Sequence, residues 1–235
     1  MPSIFVTGIG TGIGKTLVSA ILAEALHANY WKPVQAGYAN GTDSDWIRGH
    51  LSNPYSKVYP ETYRLQMAAS PHIAAREEGI GINMGQIVLD FQNIIASGYR
   101  QVNTDAPGPE SIQREGPNDW LIVEGAGGLL VPLNENEFVA DLAQKLGSQI
   151  ILVSRNYLGS INHSLLTANV CQKMDLPVLG WIFNDQYMDY ESEISGWTGI
   201  RRIASIPFSP IPDNDFIRKE ADLIRAPLLQ ALGLK

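Results

Sequence analysis

The sequence is poor in cysteine, in cationic residues and in long apolar runs, and each shortage excludes a class of function. One cysteine, Cys171, in 235 residues cannot close an intramolecular disulfide. A reducing, cytoplasmic setting is therefore expected, with that thiol in the core. The four histidines, His27, His50, His72 and His163, form no Cys/His cluster with zinc-site spacing. Lys and Arg number 17 against 24 Asp and Glu, a net charge of −7. That balance supplies no basic footprint for nucleic acid or for an anionic membrane. No apolar run is long enough to span a bilayer, and Met1-Pro2-Ser3 leads directly into Ile4-Phe5-Val6. A soluble, unprocessed protein is expected.

What is present is a 45% hydrophobic chain, sufficient for the core of one α/β domain over residues 1–235. The apolar runs 4–7, 30–34, 120–123, 149–153 and 178–183 read as strands, several of them buried on both faces. Between them, Leu17, Ile21, Leu22, Ala25 and Leu26 recur at helical spacing, as do Met84, Ile87, Val88, Phe91, Ile94 and Ile95. Strand and helix in alternation predict a mostly parallel sheet with helices on both faces. Residues 37–63 and 103–119 are polar and rich in turn formers, and both are expected to be loops.

The most specific local feature is Gly8-Ile9-Gly10-Thr11-Gly12-Ile13-Gly14-Lys15-Thr16, between the first strand and the first helix. The strict phosphate-loop spacing would place glycine at position 9, where Ile9 stands, so the loop is an eight-residue variant from Gly8 to Lys15. Its glycines let successive backbone N–H groups turn toward phosphate oxygens, and the helix that follows adds its positive end. Lys15 then meets the terminal phosphates and Thr16 can ligate magnesium. A dinucleotide fingerprint would need glycine at position 13, where Ile13 stands.

Glu124 ends the apolar run 120–123 and precedes Gly125-Ala126-Gly127-Gly128, so a carboxylate emerges at the carboxyl edge of the sheet beside pliant backbone. It reads either as a magnesium ligand or as a charge that ends a strand. Lys32 reads as loop surface or as a second cation in the crevice of Lys15. Asp43 and Asp45 read as solvated or helix-capping residues.

In this order, Gly14-Lys15-Thr16, Lys32-Pro33-Val34-Gln35, Ser44-Asp45, Ser70-Pro71-His72, the segment 123–128, the segment 158–163 and Gly180-Trp181 leading to Asn184-Asp185 resemble the dethiobiotin synthetase family, a group with a P-loop NTPase-like fold. The resemblance implies that carbon dioxide carboxylates one amine of diaminopelargonic acid, ATP phosphorylates the carbamate, and the second amine closes the ureido ring. It implies that Thr11, Gly12, Ile13, Gly14, Lys15, Thr16 and Leu17 hold the phosphates, together with Gly125, Ala126 and Gly127. Lys15 and Lys32 would be the catalytic cations, and Thr16, Asp45 and Glu124 the magnesium ligands.

Asn184, Asp185, Pro207, Phe208 and Ser209 would line the base, although Asn184 also suits a strand-end turn. Thr11, Lys15, Lys32, Gly159, Ser160, Ile161 and Asn162 would contact the diamine substrate, the last four across a homodimer interface; Ser160 also suits a simple N-cap. His72 and His163 read as structural. Gly12, where family members often carry an acid, and Ala36, where many carry serine, depart from the pattern. Two other readings compete. An amide-forming synthetase of the cobyrinic acid type would need a glutamine-hydrolysing domain for which 235 residues leave no room. A partitioning-type ATPase switch would carry a second lysine near the start of the loop, and residues 9–11 contain none.

Overall fold

Alternation along the central strands divides their side chains between two apolar layers. In β1 (Ser3–Gly8), Ile4 and Val6 join one cluster and Phe5 the other. β6 (Leu121–Glu124) repeats this with Ile122 against Leu121 and Val123, and β7 (Gln149–Arg155) with Ile151 and Val153 against Ile150 and Leu152. Strands buried on both faces need helices on both faces. One layer is covered by α1 (Lys15–Leu26), α2 (Asp43–His50) and α8 (Asn214–Ala231). The other is covered by α3 (Pro71–Glu77), α4 (Met84–Ser97), α5 (Val139–Leu146), α6 (Ser160–Lys173) and α7 (Glu191–Thr198).

This arrangement comes from a computed structural model that describes residues 1–97, 120–185, 188 and 190–234. The remaining strands are β2 (Asn29–Trp31), β3 (Val34–Ala36), β4 (Val58–Tyr59), β5 (Tyr63–Leu65), β8 (Val178–Asn184) and β9 (Arg202–Ile206). Of the nine strands among the described residues, seven form one sheet in the order β4-β2-β6-β1-β7-β8-β9, and every pairing in it is parallel. All carboxyl ends therefore share one edge, where open α/β sheets bind ligands. The predicted fold class, an α/β P-loop arrangement with a mostly parallel sheet, is the one observed.

Two expectations need correction. The apolar run 30–34 is not one strand: it breaks at Lys32-Pro33, and β3 pairs with β5 in a separate two-stranded sheet. Proline lacks the N–H that would continue the ladder, so the chain turns out of the main sheet immediately after Lys32. Residues 37–63 are not simply a loop, because α2 and β4 lie within them. Thr42 caps α2 by accepting from the Asp45 N–H at 3.0 Å, and Asp45 returns a bond from the Thr42 N–H at 3.2 Å. This reciprocal capping box stabilises a short helix of little apolar content. The expected loop at 103–119 lies outside the described residues.

Candidate active site

Strand parity brings the reactive side chains together. Ile122 belongs to the α1-side layer and Val123 to the opposite one, so Glu124 returns to the α1 side. Tyr30 lies on that side as well, with Trp31 opposite, which sends Lys32 the same way. The parallel register pairs Trp31 with Val123, so the next residue on each strand, Lys32 and Glu124, emerge side by side. Thr16, in the first turn of α1, closes the group from above.

The contacts are close. Lys32 Nζ donates to Glu124 Oε1 at 3.0 Å and also contacts the carboxylate of Asp43. Thr16 Oγ1 donates to the same Glu124 oxygen at 3.0 Å, and the Tyr30 hydroxyl donates to Oε2 at 2.9 Å. Lys15 Nζ donates to the Gly10 carbonyl of its own loop at 2.7 Å. A cavity of about 740 Å³ opens onto these groups, lined by Thr11, Gly12, Lys15, Lys32, Asp43 and Glu124 and roofed by Ala36, Ser70 and Pro71.

The two lysines sit in opposite electrostatic settings. Burial pushes the Lys15 ammonium down to about 8, with Lys32 adding to the drop and Glu124 opposing it. Burial also works against charge on Lys32, yet Glu124 and Asp43 outweigh it and raise its pKa above the ordinary value. Lys32 is thus a firmly protonated cation held by two carboxylates, whereas Lys15 is a desolvated cation suited to an incoming polyanion.

Two glycines make the loop geometry possible. A Cβ on Gly8 would lie 2.2 Å from the Val153 carbonyl, so only glycine lets the loop leave β1 against β7. Gly14 has φ +91°, and a Cβ there would meet Asn184 Nδ2 at 1.8 Å. Asn184 consequently lies directly on the loop, donating to the Ile13 carbonyl at 3.0 Å. Its neighbour Asp185 is paired with Arg155 at 3.1 Å, and its N–H reaches the Ile206 carbonyl at 3.0 Å. The carboxyl ends of β7, β8 and β9 are thereby tied beside the loop.

A phosphate loop, two convergent lysines and a buried glutamate on one cavity describe an enzyme that handles a nucleoside triphosphate and a second charged substrate. A family model described as an AAA domain matches residues 2–214. The ATP-dependent dethiobiotin synthetase of Cytophaga hutchinsonii is 47% identical over 184 residues, covering 78% of this chain and 77% of that protein. That of Christiangramia forsetii is 36% identical over 229 residues, covering 97% and 98%. The chain belongs to the dethiobiotin synthetase family.

The MinC:MinD cell division complex of Aquifex aeolicus has a TM-score of 0.57 at 14% identity, over 100% of this chain and 97% of that one. A ParA family ATPase from Chlorobium tepidum has a TM-score of 0.53 at 14% identity, over 98% and 93%. These likenesses show a shared fold. Family membership rests on the synthetases.

For a dethiobiotin synthetase family member, the expected residues are only partly gathered. Thr11, Gly12, Gly14, Lys15, Thr16, Lys32, Glu124, Ala126 and Gly127 line the one cavity. Asn184 and Asp185 lie beside the loop at Gly14, and Pro207, Phe208 and Ser209 follow β9, with Phe208 62% exposed. Asp45 does not line the cavity: its side chain is 50% exposed, held by the capping box and by Arg48 at 2.8 Å. Asp43, two residues earlier, takes the position facing Lys32. Gly159, Ser160, Ile161 and Asn162 start α6 away from the Lys15–Lys32 cavity. Ser160 is no N-cap, since Gly159 occupies that place at φ +104° and the Ser160 hydroxyl pairs with Tyr190 at 3.1 Å.

His72 bonds Ser70 at 3.1 Å and His163 bonds Tyr157 at 2.7 Å, which fits the structural reading of both. The site residues the sequence did not single out are Asp43 and Tyr30. For Asp43 the available signal was the Thr42–Asp45 capping box, which points position 43 away from the cap. For Tyr30 it was the two-residue spacing from Lys32.

Among the described residues no group of three or more His, Cys, Asp and Glu is placed to hold a metal. Magnesium asks for less: one or two carboxylates, a hydroxyl and phosphate oxygens, with waters completing the shell. The Thr16 hydroxyl and the Glu124 and Asp43 carboxylates fit that donor set.

Proposed function

We propose that the chain is an ATP-dependent dethiobiotin synthetase, a cyclo-ligase that closes the ureido ring of dethiobiotin from diaminopelargonic acid, carbon dioxide and ATP. The observation that carries this reading is the convergence of Lys15, Lys32 and Glu124 on one cavity at the phosphate loop. Residues 1–235 act as one cytoplasmic P-loop domain, and two copies form the working dimer.

One amine of the substrate takes up carbon dioxide to give a carbamate, whose negative charge is met by Lys32. The γ-phosphoryl group of ATP passes to the carbamate oxygen, and Lys15, reaching out from its loop, balances charge on the transferring oxygens. The second amine then attacks the carbamoyl carbon, phosphate leaves, and the ring closes. These are roles for fixed cations, and the strong pairing of Lys32 keeps it protonated throughout. Thr16, Glu124 and Asp43 would hold magnesium, which would supply positive charge to neutralise phosphate oxygens; Asp43 takes this place ahead of Asp45 because it faces the cavity. The Asn184 amide reads the purine edge. The backbone N–H groups at the start of α6 receive the substrate carboxylate from the second copy of the chain.

Phosphate release measured with ATP, magnesium and bicarbonate tests the proposal. Release that rises sharply on adding diaminopelargonic acid supports it. Release indifferent to the diamine contradicts it and favours a nucleotide switch.

A further inference from the structure

Glu124 has two oxygens, and the structure gives them different partners. Oε1 faces the cavity and receives Thr16 Oγ1 and Lys32 Nζ, each at 3.0 Å. Oε2 turns inward and receives the Tyr30 hydroxyl at 2.9 Å. Tyr30 is fully buried in the layer between α1 and the sheet, and Glu124 is 1% exposed. We propose that Tyr30 is a positioning residue: its hydroxyl locks Glu124 so that Oε1 alone is presented to the divalent cation. This rests on the reading of Glu124 as a magnesium ligand.

A carboxylate free to turn about its last bond can offer either oxygen or both, whereas magnesium demands near-octahedral geometry with short, well-directed bonds. A donor on the inward oxygen removes that freedom, as partners behind metal ligands commonly do. Phenol suits the task because it carries one proton to donate and its ring fills apolar space.

Phenylalanine at position 30 keeps the ring and removes the donor. The test is Mn²⁺ binding to the full chain in the presence of ADP, followed by electron paramagnetic resonance, for wild type and Tyr30→Phe. ADP affinity in EDTA is measured alongside. The expected result is Mn²⁺ binding weakened about tenfold with ADP affinity in EDTA unchanged. Equal Mn²⁺ affinity in the two proteins overturns the proposal, and so does a parallel loss of ADP affinity in EDTA, which would mark a general distortion of the loop. If Tyr30→Phe does not fold, Tyr30→Met fills similar space without a donor and is judged by the same outcomes. A wild type with no ADP-dependent Mn²⁺ site would instead refute the metal role of Glu124 itself.

Discussion

Replacing Lys15 by methionine is predicted to stabilise the nucleotide-free protein while destroying turnover. The Lys15 ammonium is held at about 8 against an ordinary 10.5, mainly by burial. At about 1.4 kcal/mol per pKa unit, its charge costs the folded state about 3 kcal/mol at neutral pH. Methionine keeps the aliphatic stem without the charge, and loses one bond to the Gly10 carbonyl, which offsets about 1.5 kcal/mol. A net gain of roughly 1–2 kcal/mol corresponds to a Tm increase of about 2–8 °C for a chain of this size.

The gain depends on pH with a definite sign. Above about 8 the folded Lys15 releases its proton while the unfolded lysine keeps it up to about 10.5. The unfolded state then binds more protons, so wild-type stability rises with pH through that window, and the penalty falls by more than half near pH 9.5. The advantage of Lys15→Met should therefore vanish there. Lys32→Met should behave oppositely, because it strands the buried Glu124 and the partner Asp43 without their cation. A loss of about 3–5 kcal/mol is expected. Thermal unfolding of both variants in EDTA at the two pH values decides the matter. Destabilisation by Lys15→Met at neutral pH, or a gain that persists unchanged at high pH, refutes the reasoning.

The two acidic residues of α2 separate in the same way. Asp43→Asn should raise the magnesium concentration needed for half-maximal turnover at least about tenfold, whereas Asp45→Asn should leave turnover intact and slightly lower Tm; the reverse pattern would restore Asp45 to the site. Burial pushes the Cys171 thiol up to about 12, so at pH 8 a thiol reagent should modify it only after unfolding, and rapid labelling of the folded protein would contradict its burial.

The sequence shows the sheet best where strands are buried on both faces, because continuous apolar runs such as Ile150–Val153 have no other use. It shows α2 poorly, since Ile47 is the only apolar residue buried there and the helix depends on the Thr42–Asp45 capping box. The break after Trp31 was written in Pro33, but the apolar residues on either side concealed it. β9 and α8 passed unread because the prolines at 207, 210 and 212 resemble a loop, although Asp213 is the N-cap that starts α8.

Motif order pointed to Lys15, Lys32, Thr16 and Glu124, because each sits at a strand end or at the loop. Asp43 and Tyr30 depend on which way a side chain faces. That becomes definite only when β2 is registered against β6 and α2 is capped. Asp45 illustrates the converse: a residue can occupy a matching motif while its carboxylate serves the helix.

Ring closure is the central claim. It is tested most directly by incubating the purified protein with ATP, magnesium, diaminopelargonic acid and ¹³C-bicarbonate, then recording the product by mass spectrometry. Dethiobiotin carrying one ¹³C, formed in step with phosphate, is the predicted result. Phosphate released with no labelled ring product would contradict the account.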